Sequence, residues 1–234
     1  MDKFADYVLK EKIHETRKSI IYRGHKENET QPLIIKLLKT TNPTPAEIAR
    51  FKQEYDLVKK LDVQNIIKIF DLVEDNNQYA IIEEDFGGIS LKETLKTNKL
   101  DLKSFLQIAS KVSETLGLIH KNNIIHLDIK PDNILINPEK GEVKITDFGI
   151  SAVLTHVNDE LYNPDVIEGT LSYMSPEQTG RMNRGVDYRT DIYSLGATFY
   201  EMLIGEVPFK SKDPMELIHS HIARQPLSPG DLNA

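Results

Sequence analysis

Three kinds of hydrophobic spacing divide this chain of 234 residues. In the stretches YVLKEKI, SIIYRG and PLIIKLL, between Tyr7 and Leu38, apolar residues alternate with polar ones or run in short blocks, with turn residues near Asn28 and Pro32. That pattern predicts β-strands. From Pro45 to Leu61 the spacing lengthens: Ile48, Phe51, Tyr55, Val58 and Leu61 follow the helix-start signal Thr44-Pro45-Ala46-Glu47, which predicts a helix. IIKIFDLV and QYAIIEE predict two further strands around a turn at Asp75–Asn77. After EDFGGIS, long helical patterns occupy residues 90–97 and 101–122, and no other long strand is expected.

The pattern therefore predicts an α+β chain of two lobes with a cleft at the joint. Residues 1–84 would form a lobe of five strands plus the helix at 45–61, residues 85–89 a hinge, and residues 90–234 a helical lobe. Composition changes this picture little. The chain is 39% hydrophobic and 28% charged, and its net charge of −7 gives no electrostatic case for a nucleic-acid partner. There is no cysteine, which excludes disulfides and thiolate metal sites. The N-terminus lacks the apolar stretch of a signal peptide, and windows such as LGATFYEMLIG at 195–205 fall short of a membrane span, so a cytoplasmic location is expected.

The segment IIHLDIKPDNILI at 124–136 breaks the alternation. Isoleucine and leucine crowd both its ends, yet Asp128, Lys130, Asp132 and Asn133 stand between them. Burying such groups is costly unless a partner, a metal or a ligand compensates them. A wet turn at Pro131 is one reading; convergence on a charged ligand is the other.

HLDIKPDN at 126–133, ITDFG at 145–149 and GTLSYMSPEQ at 169–178, in that order, resemble the catalytic loop, metal-binding triplet and substrate-platform motif of the protein kinases. Lys36 in PLIIKLL and Glu54 in FKQEY fall where that family keeps its lysine–glutamate pair, and Asp191 in DIYSLG where it keeps a buried aspartate under the catalytic loop. The resemblance implies a two-lobed kinase-like fold with an activation segment at 147–177. It implies transfer of the γ-phosphoryl group of ATP to Ser or Thr of a protein substrate, assisted by Mg2+. Asp128 would orient the acceptor hydroxyl and take its proton, and Lys130 would steady the γ-phosphate. Asp147 and Asn133 would hold the metal, and Lys36, positioned by Glu54, the α- and β-phosphates. Ile13, Ile21, Ile34 and Leu135 would line the nucleotide pocket, with Glu84 to Phe86 as the hinge backbone. His126 reads as a structural core histidine. Lys130 and the Gly169-Thr170 pair match the serine/threonine branch.

The chain also departs from the family pattern. Its phosphate loop, IHETRKSII, puts His14, Thr16 and Ser19 at the three glycine positions, so either the backbone is strained there or the loop takes another shape with Arg17 and Lys18 supplying charge. Leu127 replaces the arginine that meets a phosphorylated activation loop, so activity should not depend on that modification. Glu83 falls at the deep end of the adenine pocket, where it must be paired, turned to solvent or out of register. The family continues through further helices after about 213–223, one of which brings an arginine to the platform glutamate, here Glu177; Arg224 is the available substitute. The wording of EDFGGISL, EGTLSYMSPEQTGRMNR and DYRTDIYSLGATFYEML resembles the N-terminal kinase domain of large bacterial signalling proteins that continue into ATPase, GAF and histidine-kinase regions, which implies a fragment of a longer polypeptide. The alternative to an enzyme is a pseudokinase that binds nucleotide or a partner without turnover.

Overall fold

The structure, a computed structural model, describes residues 2–16, 18–97, 99–153 and 171–232, without the side chains of 152 and 153. The chain divides into two compact units, residues 1–62 with 66–88, and residues 63–65 with 89–234.

The first unit is built on an antiparallel sheet of six strands: β1 (Asp2–Phe4), β2 (Tyr7–Glu15), β3 (Ser19–Lys26), β4 (Leu33–Leu38), β5 (Ile69–Asp75) and β6 (Gln78–Glu84), in the order β1-β2-β3-β4-β6-β5. The sequence reading gave five strands. The sixth is β1, whose pairing with β2 lays Phe4 opposite Tyr7. Alternation sorts the rest. Phe4, Tyr7, Leu33, Ile35, Ala80 and Ile82 form one buried cluster, with Tyr22, Leu37 and Val73 packed against it. The intervening residues Ile34, Lys36, Ile81 and Glu83 share the opposite face. Gly24 lets β3 lie close on β2: a Cβ there would stand 2.1 Å from the Val8 carbonyl oxygen.

Helix α1 (Pro45–Lys60) begins where the sequence signals it. Thr44 Oγ1 accepts from the Glu47 amide and the Glu47 carboxylate accepts from the Thr44 amide, a capping box worth about 1 kcal/mol. Its buried face is Phe51, Glu54, Leu57 and Val58.

The second unit is mainly helical. Helix α2 (Leu91–Thr97) precedes α3 (Leu102–Lys121), whose Ile108, Val112, Leu116 and Ile119 are buried at i, i+4 and i+3 spacing. Short strands follow: β8 (Ile124–Ile125), β9 (Ile134–Asn137), β10 (Glu142–Ile145) and β11 (Ala152–Val153), while β7 (Ile89–Ser90) pairs with β9 ahead of them. Helices α4 (Tyr188–Ile204), α5 (Pro214–Ala223) and α6 (Pro229–Leu232) complete it. Residues 63–65 belong here because the Ile145 amide donates to the Asn65 carbonyl. Among the described residues no helix is long and apolar enough to cross a membrane.

Candidate functional site

The polar residues of 126–133 are carried on an apolar frame. Ile125, Ile129, Ile134 and Ile145 are each at most 1% exposed, so the backbone between them has little freedom to move. Beneath it lies Asp191 of α4, fully buried. Its carboxylate accepts from the His126 amide at 2.8 Å and the Leu127 amide at 2.7 Å, and pairs with His120 Nε2 at 2.8 Å. Charge-assisted bonds of this kind are about twice as strong as neutral ones. They hold Leu127 at φ 68°, a left-handed conformation that costs a non-glycine residue about 1–2 kcal/mol.

That twist delivers Asp128. Its Oδ2 accepts from Lys130 Nζ at 2.6 Å and from Asn133 Nδ2 at 2.9 Å. Its Oδ1 is buried and has no hydrogen-bond partner among the described residues. His126 is structural, as its sequence context suggests. Its Nε2 faces the Thr146 carbonyl, Nδ1 lies 3.3 Å from the Asp128 amide, and the ring packs on Phe148 with centroids 4.7 Å apart. The Nε2–H tautomer satisfies both contacts.

Asn133 and Asp147 are brought together by the β9–β10 ladder. Ile134 stands opposite Ile145, and the Thr146 amide donates to the Asn133 carbonyl at 3.0 Å. Asp147 follows at φ 64°, a second left-handed residue of the kind that concentrates at functional sites. Among the described residues no three His, Asp or Glu side chains cluster as a metal cage. A carboxylate and an amide oxygen suit a magnesium ion that takes its remaining ligands from phosphates and water, so the donor set fits that metal. Leu135, half-buried on β9, pairs with Ser90 and Lys144.

In the first unit, Lys36 and Glu54 form a buried ion pair at 2.6 Å, 7% and 4% exposed. Glu54 therefore belongs to the inner face of α1, although the apolar spacing alone suggested only its neighbours. Ile21 is the cross-strand partner of Lys36, and Ile34 shares its face. Ile13 lies in the irregularity of β2 between Lys12 and His14 and is 44% exposed. Glu83 is buried at 8% exposure on the Lys36 face, opposite Ile34 and Ile69, which excludes both a solvent-facing side chain and a shifted register. The Glu84 amide and carboxylate both bond the backbone of Lys68, and Phe86 is buried.

The phosphate-loop segment takes another shape rather than straining, since His14, Thr16 and Ser19 all avoid positive φ. Arg17 lies outside the described residues, as do Gly169 and Thr170 and most of the expected activation segment. Lys18 is exposed. Arg224 does not serve Glu177: it pairs with Glu216 at 3.4 Å, and Glu177 accepts instead from the buried Thr190 hydroxyl at 2.9 Å.

Three contacts escaped the sequence reading. Gln178 Nε2 donates to the Leu127 carbonyl at 2.9 Å while its Oε1 accepts from the Ser175 amide, tying the platform motif to the residue before Asp128. The capping-box signature S-P-E-Q was a signal for the second bond but not for the first. Leu127 itself packs with Ile125, Ile150 and Val186 where an arginine was expected. In a cavity of about 500 Å³, Lys92 and the Tyr173 hydroxyl both bond Glu201. Burial, then the Glu201 carboxylate, push the Tyr173 hydroxyl far above its ordinary value.

A family model described as the protein kinase domain matches residues 7–229. A protein named as a probable serine/threonine-protein kinase of Clostridium perfringens is 33% identical over 97% of this chain and 33% of its own length. The serine/threonine-protein kinase PrkC of Bacillus subtilis is 37% identical over 75% of this chain and 26% of its own. PknB of Mycobacterium tuberculosis, of the same description, is 30% identical over 79% of this chain and 30% of its own. The chain thus spans about a third of the length of the curated relatives it matches.

Proposed function

The chain belongs to the protein kinase family, and from that premise we propose that it transfers the γ-phosphoryl group of ATP to serine or threonine hydroxyls of protein substrates. The observation that carries this reading is the asymmetry of Asp128. One carboxylate oxygen is fixed by Lys130 and Asn133, and the other is buried and has no partner among the described residues, which suits a hydroxyl donor from a substrate. A leftover acceptor of this kind costs stability unless a ligand uses it.

The acceptor hydroxyl donates to Asp128 Oδ1. As its oxygen bonds the γ-phosphorus, the proton passes to Asp128. The bond from the γ-phosphorus to the bridging oxygen breaks, and ADP keeps that electron pair. Lys130, already beside Asp128, screens its charge from the arriving phosphoryl group. Lys36, oriented by Glu54, binds the α- and β-phosphates. When bound through Asp147 and Asn133, Mg2+ neutralises the charge that spreads over the phosphate oxygens. We assign Ile13, Ile21 and Ile34 of the first unit and Leu135 of the second to contacts with the bound base, and the backbone of Glu84 to Phe86 to its edge. Because ATP is its substrate and the chain carries no cysteine, a cytoplasmic site of action suits it.

The test is transfer of 32P from labelled ATP, comparing the wild type with Asp128→Asn and Lys36→Met. Label on the wild type alone supports the proposal. Equal labelling of all three identifies a contaminant, and ATP binding without transfer by the wild type refutes the proposal in favour of a nucleotide-binding pseudokinase.

A further inference from the structure

Among the described residues of the turn between β2 and β3, the backbone amides are engaged within the turn itself. The Thr16 N–H donates to the Ser19 carbonyl at 2.8 Å. Thr16 Oγ1 accepts from the Ser19 amide at 2.9 Å and the Lys18 amide at 3.2 Å, and lies 3.1 Å from the Ser19 hydroxyl. The turn is pinned from the side as well: the Lys39 amide, just past β4, donates to the Lys18 carbonyl at 2.8 Å. Glu15, at the end of β2, pairs with both Lys12 and Lys39. Hydrogen bonds from Lys12, then Lys39, hold its carboxylate at about 2, so it stays charged at any working pH.

A loop that cradles phosphate needs N–H groups pointing outward, and it gains nothing from a fixed negative charge beside them. Here the amides of Thr16, Lys18 and Ser19 are all engaged within the turn, and Glu15 adds the charge. We propose that Thr16 is a specificity-determining residue for the nucleotide: its hydroxyl holds the Lys18 and Ser19 amides within the turn, so affinity rests on the base, on Lys36 and on the metal rather than on those two amides. This inference rests on the kinase reading above.

The experiment is calorimetric titration of Mg·ATP and of adenosine into the wild type, Thr16→Val, Thr16→Gly and Thr16→Ser. Removing the hydroxyl frees two amides, so the valine and glycine variants should bind Mg·ATP about five- to tenfold more tightly. Adenosine affinity should stay unchanged in both, which also reports that they are folded, and serine should retain the wild-type ratio. Unchanged or weaker Mg·ATP binding in both variants overturns the inference, as does an equal shift for adenosine. Phosphoryl transfer is measured on the same samples. A wild type that transfers label, with variants that do not tighten, sinks this inference and leaves the kinase reading standing. A wild type that neither binds ATP nor transfers label sinks both.

Discussion

Replacing Asp191 by asparagine removes one acceptor oxygen from beneath the catalytic segment and changes little else in size. The carboxylate serves the amides of His126 and Leu127 and the ring of His120, all within 2.8 Å. An asparagine can keep one acceptor side, so its NH2 must face at least one donor. If that side is Oδ1, the Leu127 amide is orphaned in a residue only 3% exposed. The lost charge-assisted bond contributes about 1.5–3 kcal/mol, and an orphaned buried donor costs about 1–3 kcal/mol. With partial overlap between the two, about 3–4 kcal/mol is expected, against a typical total of about 5–15 kcal/mol. For a chain of this size that is a fall of about 6–16 °C in Tm. Urea titration should show a lower midpoint with an unchanged m-value. The same change relaxes Leu127 from φ 68° and so moves Asp128, and kcat should drop about 10- to 100-fold while KM for ATP changes little. A loss below about 1 kcal/mol, or an unchanged kcat, would refute the claim that Asp191 holds the strained turn.

Three further outcomes are expected. Because Leu127 packs with Ile125, Ile150 and Val186 and offers no cation to a phosphate, phosphatase treatment should leave most of the transfer activity; loss of most of it would contradict this assignment. Gly24→Ala forces a Cβ to 2.1 Å from the Val8 carbonyl oxygen and 2.8 Å from Ile35 Cδ1, and should cost about 3 kcal/mol in denaturant unfolding, a near-neutral result showing that β2 and β3 can separate there. Burial, only partly offset by the polar Leu171 backbone nearby, lowers His221 to about 4. The unfolded chain takes up this proton through about 6.5. Stability from this group is full above about 6.5 and falls toward pH 4, by about 2 kcal/mol between pH 7 and 5, and His221→Phe should flatten that part of the profile relative to wild type.

The elements with strong local signals were legible beforehand. Helix α1 was marked by its capping box and its spacing, and the long helix α3 by an apolar face that needs no neighbour to be recognised. Strand β1 was not, because Asp-Lys-Phe carries no periodicity; it exists because Phe4 completes a cluster with residues some 30 to 80 positions away. The site divides in the same way. The resemblance of the motifs around Asp128, Lys130, Asn133 and Asp147 to those of the protein kinases suggested phosphate and metal chemistry, yet the side-chain amide of Gln178 reaching the Leu127 carbonyl, and Thr190 rather than Arg224 serving Glu177, followed no local rule.

Sequence by itself determined which chemistry this chain can attempt, since carboxylates, amides and lysines keep their donor and acceptor character wherever they lie. Only the tertiary structure decided which of those groups are already satisfied. Among the described residues it left Asp128 Oδ1 buried without a partner and engaged the Lys18 and Ser19 amides with the Thr16 hydroxyl. The physical reason is that a hydrogen bond is set by distance and angle in space, and contacts between residues distant along the chain fix both.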